Sequence, residues 1–367
     1  MRDAERLRQR YVEHLDRGGV PLDPALAAAF AAVPREAFVV DGFQRRDGGW
    51  VKPGDGDFLD IVYRDDVLVT KVTDNTPVSS SSQPSLMVVM LSALALGPGM
   101  RVLEIGAGTG YNAALMATLG ARVTSVDVQR DVADRARAAL ARAAVDGVRV
   151  VHGDGYAGAP DERFDRVIVT VGVAGVSPRW LGQLDDGFVV VPVQHAGTHP
   201  VLAVRGGANG PVIATPVCPA GFMSAAGPLT AHHAGAHPEP ASAGSLNGLT
   251  EVAGARWRSP LSSLAYRDLW YAAGVWHRRA TYAALAGVDH GCLVLLDPDR
   301  TGGAAILPDG SVLAGGARAQ EYAADAAEVL DRWESAGRPP LQAWRIGLDL
   351  AGHPDAPIWI PARWDLA

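Results

Sequence analysis

Cysteine is scarce in this chain, with only Cys218 and Cys292, which excludes a disulfide framework and makes a reducing cytoplasm the expected compartment. Lysine is as scarce, in a chain with 33 basic residues: only Lys52 and Lys71 are not arginine. No basic block appears, and the net charge of -7 is spread along the sequence, which argues against a nucleic-acid partner. Apolar runs are short and broken by Gly and Pro, so no segment is expected to span a membrane. The start, Met1-Arg2-Asp3-Ala4-Glu5-Arg6, lacks the apolar stretch of a signal peptide.

What is present is ample apolar material, 48% of 367 residues, arranged in alternating patterns. Asp23-Pro24 reads as a cap and first helical position before Ala25 to Val33, and residues 41 to 60 as a Gly/Asp-rich loop. A short strand is expected over Tyr63 to Val72, a polar loop over Thr73 to Ser82, and a helix from Pro84 through Leu96. Strands then alternate with helices from Arg101 to Val204, most of the strands continuously apolar, which implies a parallel sheet covered on both faces. Ala231 to Leu249 reads as a linker, and the rest holds seven of the nine tryptophans. The expected class is therefore α/β, a doubly wound sheet with N-terminal helices and an additional small C-terminal α+β domain. The boundaries are 1–82 (helical) and 83–230 (core) within a main unit 1–230, a linker 231–250, and an accessory domain 251–367.

The informative stretch is Val102-Leu103-Glu104-Ile105-Gly106-Ala107-Gly108-Thr109-Gly110, a strand followed by a glycine-rich turn that opens a helix. Glycines let a ligand approach the backbone, and the helix amino end favours an anion. Such a turn alone also suits nicotinamide and flavin enzymes, or no ligand at all. Two further acids end the next strands: Asp127, placed to hold ribose hydroxyls, and Asp154 in Gly153-Asp154-Gly155, placed to accept from an adenine amino group. The glycine spacing departs from the dinucleotide pattern, so the ligand read from these residues is adenosyl, and S-adenosylmethionine fits.

These residues carry a family likeness. Val33-Pro34-Arg35-Glu36-Ala37-Phe38-Val39, Ser82-Gln83-Pro84, Leu103 to Gly110, Gly153-Asp154-Gly155 and Pro178 to Val193 together resemble the protein L-isoaspartate O-methyltransferases, over about residues 20 to 215. The resemblance implies a Rossmann-like methyltransferase sheet and S-adenosylmethionine as cofactor, with S-adenosylhomocysteine as product. Gly106, Gly108 and Gly110 would line its methionine and ribose portion, Asp127 would hold the ribose and Asp154 the adenine. Glu104, Ala107, Val128, Gly155 and Thr170 complete the set expected around it. Ser82 matches the position where the family places an active-site hydroxyl, with Ser80 and Ser81 beside it as further catalytic candidates.

The chain runs far beyond the compact repair enzyme, and the Ser79-Ser80-Ser81-Ser82 run is richer in hydroxyls than usual. On both counts it looks closer to the enlarged relatives that methylate aspartate in ribosomally made peptides such as lanthipeptides and graspetides. There the ester collapses to an aspartimide, and the partner is a cyclised precursor peptide. Repair of isoaspartyl proteins is the alternative enzymatic reading, and a silent cofactor-binding interaction module a third, against which the intact acids and glycines argue. A substrate carboxylate is already ionised near neutrality, so short hydroxyls that orient one oxygen suit the transfer better than a tight basic clamp. His232, His233 and His237 lack a Cys or carboxylate to complete a metal set, so no metal is expected. The tryptophans and the His290/Cys292 pair read as packing, with peptide binding by the accessory domain as the sharper alternative.

Overall fold

The computed structural model describes all residues except 1, 17–21, 46, 207–209, 231–232, 234, 242–245, 247, 286–287 and 289–290. His232 and His290 therefore lie outside the described residues.

A nine-stranded sheet forms the backbone of the molecule. Val148–His152, Arg122–Asp127, Arg101–Ile105, Phe164–Val169 and Leu184–Pro192 run parallel, in that spatial order. Strands such as Phe164–Val169, with Val167, Ile168 and Val169 fully buried, are covered on both faces, which is why they read as continuous apolar runs. Beyond Pro192 the pairing turns antiparallel, through Val201–Arg205 and Val212–Cys218. The helix Pro24–Ala32 starts as read: Asp23 Oδ1 accepts from the Ala25 and Leu26 amides at 2.8 and 3.3 Å, satisfying two otherwise unpaired donors.

Residues 76–81 depart from the expected polar loop. Thr76–Ser81 is a strand, paired antiparallel with Leu68–Thr73 in a four-stranded sheet that also takes Phe43–Gln44 and Trp50–Val51 from the expected loop 41–60. Asp74 and Asn75 join the two long strands with positive φ of 49° and 60°, the backbone of a tight hairpin turn.

The C-terminal region is a five-stranded antiparallel sheet with the helices Ser263–Trp276 and Ala319–Ser335. Within it, Gly303–Ile306 and Val312–Gly315 pair as a hairpin. The last two strands leave this sheet. Trp344–His353 pairs with Val212–Ala214, and Ala356–Leu366 forms the edge beyond it, so residues placed in the accessory domain complete the main sheet. One apolar core runs from Leu103 and Val169 through Trp270, Trp333 and Trp344 to Ile358. Those three tryptophans are at most 3% exposed, which makes them packing residues and not a peptide-gripping surface. No helix among the described residues is long and apolar enough to cross a membrane.

Candidate functional site

The site lies at the carboxyl ends of the parallel strands, where an open sheet leaves a crevice. After Ile105 the chain turns through Gly106, Gly108 and Gly110, all at positive φ (95°, 53° and 85°), a path that side chains resist. Space enforces glycine as well. A Cβ on Gly106 would lie 2.7 Å from Thr170 Oγ1, and one on Gly108 3.1 Å from the Ser80 carbonyl. Thr170 braces the turn by donating its hydroxyl to the Gly106 carbonyl at 2.7 Å.

Asp127 ends the neighbouring strand. Its Oδ2 accepts from the Gly108 amide at 3.1 Å and its Oδ1 from the Gln129 amide at 2.9 Å, so carboxylate and turn hold each other. Burial raises its pKa from the ordinary aspartate value, opposed by those N–H groups. Val128, next in sequence, is 52% exposed, an apolar side chain left open beside an acid. Asp127 stands opposite His152 in the adjoining strand, and Asp154 follows two residues on, exposed, with Oδ1 accepting from the Tyr156 amide at 2.9 Å. Gly155 cannot carry a side chain, because a Cβ would meet Ile105 Cγ2 at 2.8 Å. The strand-end acids, the apolar Val128 and the close-approach glycines suit an adenosyl ligand with two ribose hydroxyls.

Glu104 and Ser81 depart from their expected roles. Glu104 is fully buried, its oxygens taken by Asn112 Nδ2 at 2.9 Å and Ser125 Oγ at 2.5 Å, and burial pushes its pKa up to about 7. It braces the turn from inside and presents nothing to a ligand. Ser81 is 1% exposed, and its hydroxyl accepts from Arg35 Nε at 3.4 Å. Side chains alternate along a strand, so Ser80 projects away from the face that buries Ser79 and Ser81; Ser80 and Ser82, the residue just past the strand, are both half-buried. The serine strand is tied to the crevice through Gln129, whose side-chain amide donates to the Val78 carbonyl at 3.0 Å and whose Oε1 accepts from Lys71 at 2.8 Å. A cleft of about 210 Å³ opens beside the site between residues 38–42, Ser79, Gly108 and the helix Arg130–Arg142; Asp127, Asp154 and Ser82 do not line it.

Sequence reasoning passed over Arg35. It is fully buried, and its guanidinium donates to the carbonyls of Val62, Arg64, Asp66, Ser81 and Ser82 at 2.9 to 3.5 Å. It also stands 6.0 Å from the ring of Tyr111, the first residue of the helix that leaves the glycine turn. Arg35 is followed by Glu36 in Val33–Val39, so nothing in the local pattern separates a buried cation from a solvated one.

Residues 6–228, well over half of the chain, match the model of the family described as protein-L-isoaspartate(D-aspartate) O-methyltransferase. The chain belongs to this family. These are S-adenosylmethionine-dependent protein carboxyl O-methyltransferases. A protein-L-isoaspartate O-methyltransferase of Thermotoga maritima is 40% identical over 173 residues, which span 46% of this chain and only about half, 50%, of that relative. One from Methylorubrum populi is 36% identical over 55% of this chain and 85% of its own length. A solved structure named protein-L-isoaspartate O-methyltransferase is similar along nearly the whole molecule. It covers 97% of this chain and 99% of its own, with 25% identity and a TM-score of 0.54. Length therefore does not set this chain apart from enzymes carrying that name.

Proposed function

We propose that this protein is an S-adenosylmethionine-dependent methyltransferase acting on L-isoaspartyl carboxylates of damaged proteins and peptides. The observation that carries the reading is the whole-length likeness to a solved structure of that name, C-terminal region included. The names of the relatives from Thermotoga maritima and Methylorubrum populi support it further.

When bound, the cofactor supplies an electrophilic methyl group on a sulfonium. Asp127 would accept from the ribose hydroxyls, Val128 would pack against the adenine, and Asp154 would accept from the adenine amino group. On the substrate side, the half-buried hydroxyls of Ser80 and Ser82 orient one carboxylate oxygen and leave the other free to attack. The carboxylate, with a pKa near 4, arrives ionised, so no residue has to take its proton. Transfer would form the O–CH3 bond as the C–S bond breaks, leaving S-adenosylhomocysteine and a neutral ester. The resulting ester then loses methanol when the adjacent backbone nitrogen closes a succinimide, whose hydrolysis returns normal aspartate in part.

The narrower reading, an aspartate in a cyclised precursor peptide, rested on length and on the serine run. Length is shared with the solved relative, and the Ser81 hydroxyl is engaged by Arg35. The deciding experiment offers purified protein and S-adenosylmethionine an isoaspartyl peptide, its normal aspartyl counterpart and a cyclised aspartyl peptide. Methylation of the isoaspartyl peptide alone supports repair. Methylation of the cyclised peptide alone overturns it.

A further inference from the structure

Two chain junctions meet at the serine strand: residues 62–66, where the helix Phe58–Val62 ends, and residues 81–82, where the strand Thr76–Ser81 gives way to the helix Pro84–Leu94. Buried carbonyls in such segments need donors that no helix or sheet supplies. Arg35 supplies five of them. Nη1 donates to Val62 and Arg64, Nη2 to Asp66, Ser81 and Ser82, and Nε to the Ser81 hydroxyl. Lysine, with three donors on one atom, cannot span that set.

The geometry fixes direction as well as position. The Ser80 carbonyl oxygen lies against Gly108 in the glycine turn, 3.1 Å from where a Cβ there would sit, while the Ser81 and Ser82 carbonyls accept from Arg35. In a trans peptide the following N–H lies antiparallel to the carbonyl, so the amides of Ser82 and Gln83 face away from Arg35. For Ser82 that is the side of the strand on which the Ser80 carbonyl reaches the glycine turn.

We propose that Arg35 is a positioning residue for methyl transfer. By drawing the Ser81 and Ser82 carbonyls onto one buried guanidinium, it sets the peptide planes that hold the Ser82 hydroxyl and amide toward the substrate carboxylate. Arg35 itself touches neither substrate nor cofactor. Through Tyr111 it keeps this loop in register with the helix that opens the cofactor site.

The test uses the full chain with Arg35→Lys and Arg35→Gln. It reads kcat and KM on an isoaspartyl peptide, S-adenosylhomocysteine affinity by calorimetry, and backbone hydrogen exchange without ligands. The inference rests on the methyl-transfer reading for its kinetic readout, but the exchange readout does not depend on it. The expected result is a kcat loss of about a hundredfold, with cofactor affinity unchanged. Exchange protection should fall in residues 62–66 and 79–83 and persist in 101–118. Unchanged kcat and protection would overturn the proposal. So would loss of cofactor affinity together with protection across 101–118, or failure of both variants to fold, because each makes Arg35 plain scaffolding. If the wild-type protein ignores isoaspartyl peptides, the substrate reading fails, and the exchange pattern alone decides Arg35.

Discussion

Glu104 offers a prediction in which charge, burial and function separate. Its carboxyl is fully buried beneath the glycine turn, and burial raises its pKa from 4.5 to about 7. A rise of that size corresponds to about 3 kcal/mol of preference for the neutral form in the fold. Because the folded value lies above the unfolded one, this stabilisation is fully present below about pH 4.5. It is lost as pH rises toward about 7 and absent above it. Glu104→Gln keeps the shape and can keep both hydrogen bonds: its carbonyl accepts from Asn112, and its amide donates to the Ser125 hydroxyl. The variant therefore loses the pH dependence and gains up to about 3 kcal/mol relative to wild type above neutrality. Urea unfolding of both proteins across that pH window measures the difference in slope, and calorimetry with S-adenosylhomocysteine should find equal affinities, since Glu104 braces the turn from within. Parallel stability curves for the two proteins would refute the reasoning about burial. A large loss of cofactor affinity would return Glu104 to the ligand-contacting set.

Asp127→Ala should weaken S-adenosylhomocysteine binding by about a hundredfold, because it removes two charge-assisted bonds to the ribose and frees the Gly108 amide; retained affinity by calorimetry would count against the adenosyl assignment. Ser82→Ala and Ser81→Ala should part company. The first should lower kcat about tenfold or more with cofactor affinity intact. The second should cost about 1 kcal/mol of stability through the lost Arg35 contact, measured by thermal melting, with little change in turnover. Equal effects on turnover would contradict the separate roles given to the two hydroxyls.

Much of the site was legible because its determinants are local. The strand, the glycine turn and the strand-end acids at 104, 127 and 154 fall within short windows, and local pattern is what one sequence reports. What was illegible depends on distant partners. A strand-terminal acid can point into the crevice or into the core, and Glu104 points inward because Asn112 and Ser125 meet it there. Arg35 reaches carbonyls 27 to 47 positions away, which no spacing rule anticipates. The strand Thr76–Ser81 was masked by serine and proline, though Asp74-Asn75 between alternating residues was a readable hairpin signal. The terminal hairpin was also readable: Trp344, Ile346 and Leu348 are buried and alternate with Arg345, Gly347 and Asp349. Its destination, the edge of the main sheet, was not, because strand order lies in pairing across more than a hundred residues.

Methylation of isoaspartyl carboxylates is the activity proposed for this chain. Its most direct test is mass spectrometry of an isoaspartyl peptide and its aspartyl isomer after incubation with the protein and S-adenosylmethionine. A single added methyl group on the isoaspartyl peptide, followed by loss of methanol to the succinimide, is the predicted result. An unmodified isoaspartyl peptide, under conditions in which the protein binds S-adenosylhomocysteine, would contradict it.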